Sequence, residues 1–528
     1  MQADQSNPFI NLTYSQALNL IAVRHSDREA LVFGEHRWTF AQAKHEIDSA
    51  SARLHGLGLV PGEKVALWLP NRPEFLWLWF GAAQMGLVVV VVNPRLGQEE
   101  VAYQLEQSES VAVFVPGDGA FKDFIEAIES HRRSLPRLRH IVALDPTRNE
   151  QAIQWRRLPE ARPLPTMATD PEAPALISYS SGTTALPKGA LISHCVFRKA
   201  WDIGTPVDQE KEDRLILAIA MFGSMAMLNG ILPFWVRGAA VVAMERFDAA
   251  LFVDIVHKER CNFAHLLPPM VLALAKLPSF GPGQLDPVRV AYLLSNDESM
   301  FNLCQNKLAI PSIMLGYGLT ESTTVAVRNR WDDPPEIRST CQGKALPGVE
   351  IRIVDEHGKD CPPQQPGEIL LRGYCIMKGY YRQPEETARV IDPEGWLHTG
   401  DCGVMDADQR LKFICRLSEG YKTNGFNVAP SEVEAALRRH PDVDDVAVFG
   451  RDDPIAGQVG VACVISKSGA QVDEASMIQF LKPLLASYKM PRHIIPVDEF
   501  PLTAGTQKVQ KGKLRDAVEH RLPARISL

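Results

Sequence analysis

The first 315 residues repeat one rhythm: a short apolar run, a stretch with one apolar helical face, then another apolar run. Residues 64–69 form the first such run. Residues 73–84 carry the helical pattern, and 87–92 form a second run that stops at Asn93-Pro94. Two strands joined by a crossover helix pair in parallel, because the connection is far too long for a hairpin. The pattern returns at 110–116 and 140–144, and again over residues 214–315 with strands at 239–244 and 290–294. Thr39 followed three residues later by Gln42 is a capping signature, so a helix is expected over 39–57. A chain of 528 residues exceeds what one core can serve, so two or more domains are expected.

After about Arg338 the character changes. Short strands at 349–354, 367–372 and 411–414 alternate with turn signals at 355–358 and 406–409, the mark of a small antiparallel or barrel-like subdomain. Beyond Arg416 a third pattern begins. Ser431, with Glu434 at the capping-box position, is expected to start a helix; strands at 446–450 and 460–466 and a helix at 474–485 follow. This α+β unit, about 110 residues long, is large enough to be a separate domain.

The net charge of −7 weighs against a nucleic-acid partner, whose phosphates select basic surfaces. Nine scattered cysteines without a C-x-x-C pair read as reduced thiols in a cytoplasmic protein. No basic and apolar leader opens the chain, and the apolar run 86–92 is far shorter than the roughly 20 residues a bilayer demands, so no transmembrane segment is expected.

Four segments carry chemistry. Tyr179-Ser-Ser-Gly-Thr-Thr-Ala-Leu-Pro-Lys-Gly189 packs four hydroxyls and a glycine into five residues and then adds a lysine, the groups that cradle a polyphosphate. Pro187 stands where a Walker loop has its second glycine, so that class is excluded. A Ser/Thr-rich surface turn is the plain alternative. In Gly316-Tyr-Gly-Leu-Thr-Glu-Ser322 the glycines allow a tight turn, Tyr317 can stack on a base and Glu321 can hold Mg²⁺. Gly395-Trp-Leu-His-Thr-Gly-Asp401 ends in an acid suited to a ribose diol, and Lys508 sits in a Gly/Thr-rich loop near the C-terminus. Singly, each reads as easily as a cap, a turn or a solvated lysine.

Together and in this order, the segments resemble the adenylate-forming superfamily of acyl-CoA synthetases, firefly luciferase and peptide-synthetase adenylation domains. The resemblance runs from Thr39 to Arg515 and includes Gly367-Glu-Ile-Leu-Leu-Arg-Gly373, Lys378-Gly-Tyr-Tyr381, Tyr421-Lys-Thr-Asn-Gly-Phe-Asn-Val-Ala-Pro430 and Tyr488-Lys-Met-Pro-Arg492. It implies an α/β and α+β fold: a large N-terminal domain (1–417) of two sheet subdomains plus a barrel-like one, then a small mobile C-terminal domain (418–528). It implies a two-step reaction, in which a carboxylic acid attacks ATP to give acyl-AMP and pyrophosphate, and CoA then takes the acyl group as a thioester.

By the family pattern, Ser180, Ser181, Gly182, Thr183, Thr184 and Lys188 would hold the phosphates, with Thr320 at the α-phosphate and Glu321 on Mg²⁺. Gly316, Tyr317 and Gly318 would border adenine, along with Asn296, Asp297 and Glu298. Asp401 and Arg416 would bind the ribose. Thr184, Glu321 and Lys508 would be catalytic, with Lys511 the fallback for Lys508. Ser418 would be the hinge, Lys422 and Gly425 the CoA face, and Phe222, Gly223 and Met227 the acyl pocket.

Several positions depart from that pattern. Ala185 replaces a glycine, Ser418 replaces the usual Asp or Lys, Ser295-Asn-Asp-Glu298 replaces a small-residue stretch, and Gly223 stands where many relatives carry an aromatic or His gate. The Met-, Ala- and Gly-rich segment 221–230 suggests an apolar acid, whether fatty, aryl or alicyclic, although ordinary core packing explains much of the same composition. Adenylation for another acceptor, a carrier protein or an amine, is the rival reading, and a catalytically dead relative is a third. A homodimer is left open.

Overall fold

The computed structural model describes residues 7–522 except 119, 162–169, 181–185, 279, 282, 296–297, 418–419, 424–425, 454–455, 468–469, 471–472 and 504–508. The chain packs as two compact units. One is Met1–Ile351 with Leu371–His398 and Gln409–Leu411; the other is Arg352–Leu370 with Thr399–Asp408 and Lys412–Leu528. The second unit therefore takes in two excursions from the 349–416 region besides the C-terminal stretch expected from residue 418 onward.

The strand–helix rhythm of the first unit resolves into two seven-stranded sheets. One runs in the order Ile153–Gln154, His140–Ala143, Ala112–Val115, Lys64–Leu67, Val88–Val91, Pro174–Ser180, Lys188–Ser193. Its pairs are parallel up to the last, where Pro174–Ser180 and Lys188–Ser193 form an antiparallel hairpin. The second sheet has the order Ser312–Met314, Val290–Leu293, Phe263–Leu266, Arg214–Leu217, Ala240–Ala243, Glu29–Phe33, His36–Thr39, and again only the terminal hairpin is antiparallel.

Val88–Val91 shows why such strands lack polar alternation. Val89 and Val91 join one hydrophobic core while Val88 and Val90 join another, so both faces are dry. Helix Pro73–Gln84 is buried from Phe75 to its end, and Trp79, Phe80 and Trp235 stack in series at 4.3 and 5.0 Å between ring centroids. The Thr39–Gln42 capping box forms in both directions and starts helix Phe40–Gly56.

The barrel-like region is a four-stranded sheet in chain order: Val349–Val354, Gly367–Gly373, Leu397–Met405, Leu411–Arg416. In the second unit a five-stranded sheet is built on the long hairpin of Val443–Asp453 and Gly457–Ser466, with His493–Pro496 added in parallel. One expectation is corrected here. Ser431 is not the N-cap of its helix, which starts at Pro430 after Ala429. Proline suits that first helical position because its ring presets φ and its missing N–H would be unpaired there anyway. Ser431 Oγ instead donates to Ile414 O at 2.9 Å, and Glu434 accepts from Val448 N at 2.8 Å. The helix expected over 474–485 stops at Leu481.

Candidate active site

The strands that flank the hydroxyl-rich segment pair antiparallel, with Ser180 opposite Lys188. Ser181, Gly182, Thr183 and Thr184 lie outside the described residues. Lys188 is placed by two contacts: its ammonium donates to Glu386 and lies 5.3 Å from the centroid of the Tyr380 ring. The same contact holds the Glu386 carboxyl below its ordinary range. Tyr380 links this corner to the second motif, donating its hydroxyl to Glu321 Oε1 at 2.7 Å. One loop lysine, one ring and one carboxylate thus form a continuous chain across three segments distant in sequence.

Glu321 sits in a single 3₁₀ turn, Thr320–Ser322, and is only 8% exposed. The turn joins two antiparallel strands, Gly316–Leu319 and Thr324–Arg328. Their approach is so close that a Cβ on Gly318 would fall 1.9 Å from Thr324 O, so no other residue fits. Thr323 and Thr324 both take positive φ, 54° and 65°, a costly region for β-branched residues. Surrounding bonds impose it: Thr323 Oγ1 donates to Cys375 O at 2.6 Å, Ser322 Oγ to Thr324 O at 2.8 Å, and the fully buried Lys199 to Ser322 O. The strain is held beside the one carboxylate that the turn presents. Tyr317 is 7% exposed on the first strand. Glu298 opens helix Glu298–Asn306 with its side chain in solvent, while Asn296 and Asp297 lie outside the described residues.

In the second unit Asp401 and Arg416 are brought together, Nε to Oδ1 at 2.9 Å, on adjacent strands. Asp401 is 3% exposed, its backbone N–H donates to Thr399 Oγ1 at 3.1 Å, and Thr399 in turn donates to Ile369 O at 2.7 Å. A hydrogen bond from Cys415 pulls the Cys402 thiol below its usual range. Ser418, Gly425 and Lys508 lie outside the described residues. Lys422 is on strand Tyr421–Thr423. The fallback lysine, Lys511, is tied to Glu434 at 2.7 Å at the start of helix Lys511–Val518.

The segment 221–230, where an acyl pocket is expected, holds a feature the sequence does not announce. After Gly223 and a short helix, Met227–Ile231 forms one π turn. Such turns accommodate an extra residue and recur at functional sites. Phe222 and Gly223 are half-buried and Met227 is fully buried. Sequence reasoning also passed over Tyr380, Glu386 and Lys199. Tyr380 alone had a signal, its place in Lys378-Gly-Tyr-Tyr381.

The sequence family described as AMP-binding enzyme matches residues 19–381, and the AMP-binding enzyme C-terminal domain matches 432–506. The chain belongs to the AMP-binding enzyme family. This AMP-binding enzyme is 31% identical over 515 residues to 4-coumarate–CoA ligase 2 of Nicotiana tabacum, covering 94% of this chain and 93% of that one. It is 34% identical to 4-coumarate–CoA ligase 1 of Oryza sativa subsp. japonica, over 89% and 86% of the two chains. Among solved structures it superposes on an anthranilate–CoA ligase in complex with anthranoyl-AMP with a TM-score of 0.85, 26% identity and 97% and 98% coverage. A fatty acyl-CoA synthetase of Mycobacterium tuberculosis gives 0.74, 26%, and 97% and 99%. The protein is thus an enzyme of the adenylate-forming acyl-CoA synthetase family, an AMP-forming acid–CoA ligase. No helix among the described residues is long and apolar enough to cross a membrane.

Proposed function

We propose that this enzyme activates an acid with a largely apolar body as its acyl-adenylate and passes it to free CoA, using residues of the four motif segments. The observation that carries this reading is the Lys188–Tyr380–Glu321 chain, which links a cation and a carboxylate from two of the motif segments.

A carboxylate is a poor electrophile, because its charge repels nucleophiles and oxide cannot leave. Attack on the α-phosphate of ATP replaces that oxide with AMP, and the protein's task is alignment and charge neutralisation. Lys188, with Thr183 and Thr184, grips the β- and γ-phosphates that leave as pyrophosphate. Thr320 meets the α-phosphate and Tyr317 packs on adenine. Asp401 and Arg416, paired at 2.9 Å, bind the ribose hydroxyls.

Mg²⁺ normally takes one or two carboxylates plus substrate phosphates and water. Glu321 fits that role, since Tyr380 occupies Oε1 and no cluster of three or more protein ligands exists among the described residues. When bound there the ion neutralises phosphate charge. Lys508 bridges carboxylate and α-phosphate in the first step. The mobile C-terminal domain, pivoting at Ser418, then replaces it with the Lys422–Gly425 face for the pantetheine arm.

Pyrophosphate release screened over fatty, aryl and alicyclic acids, with and without CoA, tests the reading. Acid-dependent release with AMP and a thioester accumulating when CoA is added is the expected result. Adenylation that ignores CoA and yields product only with an amine or a carrier protein would overturn the choice of acceptor.

A further inference from the structure

Behind the 221–230 segment lies a polar cluster that the adenylation chemistry does not use. His265 and Tyr292 are register partners on the parallel strands Phe263–Leu266 and Val290–Leu293, each one residue short of the strand's carboxyl end. Their rings meet edge to face at 4.8 Å. Arg328 lays its guanidinium 4.2 Å over the Tyr292 ring and donates from Nη2 to Asn229 Oδ1 at 2.6 Å. All four side chains are essentially out of solvent, at 0 to 3% exposure.

The cluster is electrostatically incomplete. Arg328 Nε and Nη1, the Tyr292 hydroxyl and both ring nitrogens of His265 complete no well-aligned hydrogen bond among the described residues; Arg328 and Tyr292 meet only in a looser contact, as do His265 and the Asn229 backbone. No carboxylate among them pairs with Arg328 either. Burial drives the His265 imidazole down to about 3, so it is neutral, and burial likewise disfavours charge on Arg328. A guanidinium nevertheless keeps its proton in proteins. An unpaired buried cation is one of the least favourable arrangements a core can hold, and buried donors without acceptors add to it.

Its position says what could complete it. Asn229 belongs to the π turn Met227–Ile231. Asn229 Nδ2 and Thr324 Oγ1 each lie 3.7 Å from Met225 Sδ, and a Cβ on Gly230 would fall 3.3 Å from His265 Cε1. The cluster therefore backs directly onto the acyl-pocket segment, with the pliable Met225 thioether between. It also lies at the carboxyl ends of parallel strands, where open α/β sheets take their ligands.

Resting on the reading of residues 221–230 as the acyl pocket, we propose that the acid carries a second oxygen acceptor, a carboxylate or a ketone carbonyl, at the end remote from its reacting carboxyl, and that Arg328 receives it with Tyr292 and His265 as neutral donors. The apolar body of such an acid would run past Met225 and its far oxygen would reach Arg328.

The test is kcat/KM for pyrophosphate release by the full-length enzyme over length-matched triplets on linear and alicyclic frames: the plain monocarboxylic acid, its remote-keto analogue and the dicarboxylic acid. One oxygenated member should exceed its plain partner by about 10-fold or more, the range of a hydrogen bond to a charged group. Arg328→Met should abolish that ratio without changing the KM for ATP, and Arg328→Lys should retain part of it. Should Arg328→Met fail to fold, the wild-type ratios decide alone. Plain acids equal to or better than both analogues on every frame, or a ratio untouched by a folded Arg328→Met, would overturn the inference while leaving adenylation intact. No release with any acid would instead sink the adenylation reading and this inference with it.

Discussion

Glu321 owes its geometry to residues far from it in sequence. Its partner Tyr380 lies 59 positions away, and Glu386 lies 198 positions from Lys188. The motif glutamate, Asp401 and Arg416 could be singled out because they stand in recognisable contiguous segments; their supporting partners could not, because only the fold brings those together. Tyr380→Phe removes one hydrogen bond from a nearly buried carboxylate. Acid-dependent ATP–pyrophosphate exchange should fall about 10- to 100-fold, with a raised Mg²⁺ requirement and little change in Tm. An unchanged Mg²⁺ dependence would show that Tyr380 only packs. His194 makes a pH prediction of known sign. Burial holds its imidazole down to about 4, and its Nδ1 accepts the Tyr14 N–H at 3.0 Å. The unfolded chain takes up the proton near 6.5 and the folded chain resists it. Stability is therefore full above about pH 6.5 and is lost as pH falls toward 4, at up to about 1.4 kcal/mol per unit. His265 acts in the same direction. In His194→Asn, whose amide oxygen can still accept from Tyr14, a plot of Tm against pH should be shallower over that window.

At the scale of elements, the all-apolar strands and the Thr39–Gln42 box were readable because each is a local pattern with one structural meaning. Ser431 and Glu434 spell the same box, yet the helix begins at Pro430 and both side chains serve tertiary contacts. Local grammar lost there to packing and to proline's fixed φ. The π turn at Met227–Ile231 was invisible, since one extra residue in a stretch buried from Ala226 to Trp235 leaves no break in hydrophobic periodicity. Two glycines separate an element that must stay from one that can change. Gly318→Ala forces Cβ into Thr324 O, so the ribbon that carries Tyr317 and Glu321 must shift, and exchange activity should fall more than about 100-fold. Gly223 has an ordinary φ of −78°, and its nearest Cβ contact is Ala220 O at 3.3 Å. Gly223→Ala should keep Tm within about 2 °C and leave KM for ATP unchanged, moving only the ranking of acids. A loss of ATP affinity in that variant would place Gly223 outside the acyl pocket.

At the scale of the whole molecule, the proposed reading gives one site two chemical steps, with Lys508 acting in the first and the Lys422–Gly425 face in the second. The half-reactions can be read separately: acid-dependent ATP–pyrophosphate exchange reports the first, and thioester formation from supplied acyl-AMP and CoA reports the second. Lys508→Ala should depress exchange by two to three orders of magnitude, the effect of removing a cation from a charged transition state, and should spare the second step. Gly425→Val should do the reverse, because a side chain there would narrow the path of the pantetheine arm. Lys511 supplies the control. Its ammonium is committed to Glu434 within the C-terminal unit, so Lys511→Ala should lower Tm by a few degrees while both half-reactions keep rates within a fewfold. If Lys511→Ala rather than Lys508→Ala erased exchange, the adenylation lysine would be the later one. If both variants slowed the two steps equally, the two lysines would serve a single arrangement and the case for domain alternation would fall.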